Sequence, residues 1–208
     1  MLSIGVLVSG TGTNLQAILD AVKDGTLPAK VAVVVSNKPG VLALERAEKA
    51  GVPTRVLSHK DYGNREGFDA ALVETLRAAS VDLVVLAGFM RLLTKTFLDA
   101  FPNRIVNIHP SLLPAFPGVD AQDQALAYGV KVAGCTVHFV DEGTDTGPII
   151  GQRAVPVLDG DDAAALRARI LAEEHSLLVS CLALIAEGRV EVVPGDGGRR
   201  ARVRTRLG

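Results

Sequence analysis

Ile4-Gly5-Val6-Leu7-Val8-Ser9-Gly10-Thr11-Gly12-Thr13-Asn14 decides the reading of this 208-residue chain. Ile4 to Val8 is a short, nearly continuous apolar run, which suits a strand covered on both faces. A glycine-rich turn follows, and a helical pattern runs from Leu15 to Val22. Glycines let a backbone turn tightly and approach a ligand closely. A helix N-terminus exposes free N–H groups and the positive end of the dipole, so the turn suits a phosphate. No Gly-Lys-Ser/Thr follows, so it is not a Walker A loop. The third glycine of the dinucleotide fingerprint is missing too, which favours a single phosphomonoester over a dinucleotide. The alternative is a plain strand-to-helix turn capped by Thr or Asn.

Outward from that turn the pattern repeats. Val31 to Val35 reads as a second buried strand, and Val41 to Ala50 as a helix that stops at Gly51. Thr54 to Leu57 is a short strand. Arg65 to Ala79 carries Phe68, Ala71, Leu72 and Leu76 at helical spacing, and Leu83 to Ala87 is the next strand. Arg104 to Ile108 is another, ending at His109-Pro110, and a Pro-rich loop runs on through Gly118. Strands alternating with helices predict βαβ units, hence an α/β, Rossmann-like, mostly parallel sheet with helices on both faces. Val132 to Val140 and Pro148 to Val157 are strands too close for a helical crossover, so antiparallel strands are added in the C-terminal part. Asp162 to Glu187 is one long helix, with Asp161 and Asp162 near its N-terminus and Gly188 at its end. Val190 to Leu207 reads as two strands around Pro194-Gly195-Asp196-Gly197-Gly198. With no repeat or linker, residues 1–208 are expected to form a single domain.

Composition narrows the function. The chain has 22 Lys+Arg against 23 Asp+Glu and is 48% apolar. That balance exerts no global pull toward nucleic acid or an anionic membrane. No apolar run approaches the roughly 20 residues of a membrane helix, and the N-terminus lacks a signal peptide's pattern. Cys135 and Cys181 sit in apolar stretches without a CxxC pair or zinc spacing, so reduced cysteines, no metal and a cytoplasmic location are expected. Arg199, Arg200, Arg202, Arg204 and Arg206 make a basic C-terminus, in which Arg202, Arg204 and Arg206 alternate with Val203 and Thr205 and read as the charged, solvated face of an edge strand rather than a nucleic-acid arm. A homodimer is left open.

Asn107-Ile108-His109-Pro110-Ser111 stands at the end of a predicted parallel strand, where open α/β sheets bind ligands. Asn107 and His109 point to one face of an extended segment. An amide donor beside an imidazole can hold an oxyanion and move a proton, which acyl transfer requires. The alternative is a structural histidine before a proline turn. Asp141-Glu142-Gly143-Thr144-Asp145-Thr146-Gly147-Pro148 is an acidic loop between two strands. A carboxylate there would hydrogen-bond the imidazole and favour its charged form. Otherwise the loop is a solvated hairpin, and spacing does not show that Asp145 reaches His109. His59 reads as incidental, His138 as packing or supporting hydrogen bonding, and His175 as either a helix-surface residue or a support for a substrate site.

At these residues the chain resembles the folate-dependent formyltransferases, and among them the glycinamide ribonucleotide formyltransferases. The likeness runs from SGTGTNLQ through VVSNK, LAGFMRLL, NIHPSLLP and TVHFVDEGTDTGPII to the EEH of the long helix. It implies transfer of the formyl group of 10-formyltetrahydrofolate, a co-substrate, to the amine of glycinamide ribonucleotide in purine biosynthesis, with no metal. It further implies that Asn107, His109 and Asp145 are catalytic. By the same likeness Gly12, Thr13 and Asn14 hold the phosphate, and Glu174 bonds the ribose hydroxyls. Met90, Arg91, Leu93, Val140, Asp141, Glu142, Gly143 and Thr144 match the pterin pocket, and Arg65 an arginine near the folate's glutamate tail. Two positions depart from the pattern: Asp120 stands where several members carry histidine, and Ala115 where many carry lysine or arginine. A formyltetrahydrofolate hydrolase would use the same trio but is expected to carry an N-terminal regulatory domain. A transfer-RNA formyltransferase would need a further C-terminal domain. A phosphate-binding module without chemistry would bind but not turn over.

Overall fold

The computed structural model describes residues 1–196 and 200–206. Met1–Asn107 and Ile108–Gly208 form two compact units. In the first, β1 (Leu2–Val8), β2 (Ala29–Ser36), β3 (Thr54–Val56), β4 (Leu83–Leu86) and β5 (Ile105–His109) pair in parallel in the order β3-β2-β1-β4-β5. Strand β5 carries the chain on into the second unit. Ile4, Val6, Leu7 and Val8 are fully buried, so β1 is covered on both faces, and that is why its sequence does not alternate. The helices α1 (Thr13–Asp24), α2 (Leu42–Lys49) and α3 (Arg65–Ala78) fall between successive strands. Leu15 and Ile18 of α1 and Leu72 and Leu76 of α3 are fully buried, each contributing about 1.5–3 kcal/mol relative to exposure. The Asn64 side chain caps α3 by accepting from Gly67 N at 2.7 Å.

The second unit holds α5 (Ala121–Tyr128), β6 (Val132–Phe139), β7 (Ile149–Pro156), α6 (Ala163–Ala186), β8 (Val190–Val193) and β9 (Arg202–Thr205). As their short connection predicts, β6 and β7 are antiparallel, and so are β8 and β9. Gly197, Gly198, Arg199 and Leu207 of the expected tail hairpin lie outside the described residues. The long helix starts as its sequence suggests: Asp162 caps it by accepting from Ala165 N at 2.8 Å. The neighbouring Asp161 takes two hydrogen bonds from Arg169, at 2.6 and 2.8 Å, which hold its carboxyl down to about 2. Leu166, Ile170, Leu178 and Leu182 bury one side of α6, which packs on β6 and β7. Cys135 on β6 and Cys181 on α6 are buried free thiols. Burial pushes both up to about 12, assisted at Cys135 by the charge of Glu174.

Two helices lie beyond the sequence reading. The six-residue α4 (Lys95–Ala100) is too short for a helical period to register. Helix α5 opens directly out of the Pro-rich loop at Asp120, which takes a left-handed φ of 54° and offers no side-chain cap. Asp tolerates that conformation better than most residues. No described helix is long and apolar enough to cross a membrane.

Candidate active site

The glycine-rich turn between β1 and α1 is bent by Gly12, whose φ of 71° and ψ of 34° lie in the left-handed region. A Cβ there would stand 2.6 Å from Ala43 Cβ, so α2 packs where only a glycine fits. Arg46 of α2 braces the turn from outside, donating to the Thr11 carbonyl at 2.9 Å and to Gln16 Oε1 at 3.0 Å. Ala43 N donates to the Gly10 carbonyl at 3.2 Å. Neither Thr nor Asn caps α1: the capping residue is Gly12, which makes no side-chain cap hydrogen bond. The first turn carries no acid either, so the dipole's positive end meets no negative side chain of its own helix. Thr13 and Asn14 are the first two helical residues, and Asn14 is buried.

In the same unit Ser9 Oγ donates to Asn37 Oδ1 at 2.7 Å and accepts from Met90 N at 2.9 Å, tying the β4–α4 connection back to β1. Met90 is 69% exposed, and Leu93 is half-buried. Arg91 lies over the Phe68 ring at 5.3 Å, a cation–π contact. Arg65 donates to the Leu92 carbonyl at 2.9 Å.

In the second unit the last residue of β5, His109, is 4% exposed. Its Nδ1 lies 3.4 Å from Asp145 Oδ2, so the acidic loop does reach the imidazole. Its Nε2 lies 2.9 Å from the Phe116 carbonyl oxygen. Both neighbours are acceptors, and a ring that donates to both carries two N–H groups, the imidazolium. Asp145 sits at a left-handed φ of 54°, its side chain 12% exposed. Oδ2 also accepts from Gly118 N at 2.8 Å, and Oδ1 lies 3.6 Å from His138 Nε2. Burial pushes the Asp145 carboxyl up. The polar contact from His138, the Gly118 N–H and the charges of both imidazoles outweigh that and leave it below the ordinary range. Asn107, half-buried, stands two residues before His109 on the same face of β5.

The loop before Asp145 is organised by Asp141, whose Oδ1 accepts from Thr146 Oγ1 at 2.6 Å and from Gly143 N at 3.2 Å. Val140 is half-buried, while Asp141, Glu142, Gly143 and Thr144 are exposed. Glu174 is buried on α6 at 7% exposure. Arg46, the Phe116 carbonyl and the Gly118 N–H escape sequence reasoning. Two of the three are backbone groups, which carry no residue-type signal, and Arg46 is one of many helix-surface arginines. His138 was legible only as a residue on a strand near the acidic loop.

The fold and this geometry define a class: an α/β enzyme with an imidazole–carboxylate pair at the carboxyl end of a parallel strand. Residues 2–182 match the family model described as formyl transferase. The chain is 46% identical over 175 residues to phosphoribosylglycinamide formyltransferase of Bacillus subtilis (strain 168), covering 84% of this chain and 90% of that protein. It is 58% identical to the crystal structure of glycinamide ribonucleotide transformylase 1 from Symbiobacterium toebii, with a TM-score of 0.94 over 99% of this chain and 94% of that one. The chain belongs to the formyl transferase family, among its phosphoribosylglycinamide formyltransferases. A similar stretch also occurs inside a much larger relative. The chain is 53% identical over 193 residues to the trifunctional purine biosynthetic protein adenosine-3 of Drosophila melanogaster, of which it spans 14% of the length.

Proposed function

We propose that the chain transfers the formyl group of 10-formyltetrahydrofolate to the amine of glycinamide ribonucleotide, a step of purine biosynthesis, in the cytoplasm. The observation that carries this reading is the buried His109–Asp145 pair, 3.4 Å apart, in a chain of this family. The amine nitrogen attacks the formyl carbon, and the carbonyl π electrons move to oxygen. The oxyanion needs donors aimed at it in a site from which water is excluded. Asn107 supplies an amide N–H. Since Nδ1 of His109 faces Asp145, the donor that His109 offers is Nε2–H, and the oxyanion takes the place of the Phe116 carbonyl oxygen. Asp145 stabilises the imidazolium and fixes the ring's orientation. As the tetrahedral adduct collapses, the bond from carbon to the folate N10 breaks. A proton lost by the attacking amine reaches N10 through His109 or water, and tetrahydrofolate leaves as a neutral amine.

We assign phosphate binding to Gly12, Thr13 and Asn14, because α1 begins there without a side-chain cap or an acid. Glu174 would accept from the ribose hydroxyls. In the first unit, Met90, Arg91 and Leu93 are assigned to the folate's pterin and Arg65 to its glutamate carboxylates. In the second, Val140 and Asp141 to Thr144 are assigned to the pterin. The folate carries the activated carbon, so the reaction asks for no metal. The test is to mix purified chain with both substrates and follow formylated ribonucleotide and folate deformylation separately. Formylated ribonucleotide is expected. Folate deformylation at the same rate without ribonucleotide would make the chain a hydrolase instead.

A further inference from the structure

We infer that His138 is a positioning residue for this reaction, holding the Asp145 carboxylate aimed at His109; the inference rests on the function proposed above. His138 is 1% exposed on β6, and its ring is set from both sides. Nδ1 lies 2.8 Å from the Phe139 carbonyl oxygen, which requires a proton on Nδ1. Nε2 then faces Asp145 Oδ1 at 3.6 Å. A bare Nε2 would set a lone pair against a carboxylate, so the arrangement is favourable only when Nε2 also carries a proton or shares one with Oδ1.

Two independent features aim the ring there. The β6–β7 register slips between Val137 and His138, and such irregularities re-aim side chains beside active sites. At Gly147 any Cβ would strike the Phe139 carbonyl oxygen, the acceptor that anchors His138 Nδ1. The Asp145 carboxylate thus has its two oxygens held by different partners: Oδ2 by Gly118 N–H and His109, Oδ1 by His138. With Oδ1 released, rotation of the carboxylate about its last side-chain bond is resisted from the Oδ2 side by Gly118 N–H and His109, and the aim of the oxygen facing His109 loosens. Among the described residues, the titratable side chains that lie against Asp145 are the imidazoles of His109 and His138, and Arg200 donates to the adjacent Thr146 carbonyl at 3.4 Å.

The test compares two substitutions. His138→Asn keeps a donor for the Phe139 carbonyl and removes the one toward Asp145. His138→Gln places an amide N–H near the position of Nε2 and cannot titrate. His138→Asn is expected to lower kcat by about 10²-fold, the scale of a misplaced catalytic group, with both KM values near wild type. The acid limb of its kcat/KM profile moves to higher pH, because Asp145 loses a contact that keeps it charged. His138→Gln recovers most of kcat and returns the limb toward wild type. Wild-type kcat and an unmoved limb in His138→Asn overturn the inference. So does an equal loss in both variants with a lowered melting temperature and an unmoved limb, which marks a merely structural histidine. Nitrogen-15 spectra of the wild-type ring decide the point without turnover: a proton is expected on Nε2, and a bare Nε2 overturns the inference even if formyl transfer stands. If no formylated product forms at all, the proposed function fails while the spectrum still reports on His138.

Discussion

Replacing Gly12 by alanine tests whether the turn's geometry is as tightly determined as it looks. The backbone at Gly12 has φ 71°, and a Cβ would lie 2.6 Å from Ala43 Cβ and 2.8 Å from Ala43 Cα. Left-handed backbone costs a residue with a Cβ about 1–2 kcal/mol. Forcing a methyl against a packed helix costs roughly 1–3 kcal/mol more. Together these come to about 2–5 kcal/mol, and a chain of this size loses about 2–4 °C of melting temperature per kcal/mol. A fall on the order of 10 °C is therefore expected in a thermal melt. Gly10 is the control, because a Cβ there meets nothing within 4 Å. Gly12→Ala should also raise KM for the ribonucleotide more than KM for the folate, since the N–H groups that follow Gly12 shift with it. If Gly12→Ala and Gly10→Ala melt together and share one ribonucleotide KM, the argument from the left-handed turn is refuted.

Other outcomes follow from single observations. Asp162→Ala removes the N-cap of α6 and is expected to cost about 1 kcal/mol, read as a lower melting temperature with an unchanged denaturant m-value. Both cysteines are buried with thiols pushed up to about 12, so neither should react with a thiol reagent at mildly alkaline pH until the chain unfolds. Rapid labelling of the native chain would contradict that. The folded Asp145 carboxyl titrates below its unfolded value, so its stabilisation is complete above the ordinary aspartate range and is lost as pH falls through the folded value. The stability gap between wild type and Asp145→Asn should accordingly narrow on acidification, and a gap independent of pH would count against the charge pairing.

The parallel sheet was legible because β1, β4 and the second half of β2 are buried on both faces and so read as apolar runs. The antiparallel pairing of β6 and β7 followed from a connection too short for a crossover. Helices α4 and α5 were not legible, one for its length and the other for opening out of a Pro-rich loop at a left-handed Asp120 whose side chain makes no cap. At the site, Asn107 and His109 could be placed on one face by strand alternation alone. The contact between His109 and Asp145 could not. It depends on a loop that passes through a left-handed Asp145 and on the Gly118 N–H that fixes the carboxylate, and neither has a periodic signature. Phe116 shows the same limit more sharply: its carbonyl meets His109 Nε2 through a backbone φ of 53° that a phenylalanine rarely adopts.

We assign to the His109–Asp145 pair the chemistry rather than the binding. Single-turnover formyl transfer with saturating ribonucleotide and formyl folate, comparing wild type with His109→Ala and Asp145→Asn, tests this most directly. The chemical step is expected to slow by about 10²–10⁴-fold in both variants while ribonucleotide affinity stays near wild type. A chemical step that keeps its wild-type rate in His109→Ala, with the chain folded and ribonucleotide bound, would contradict it.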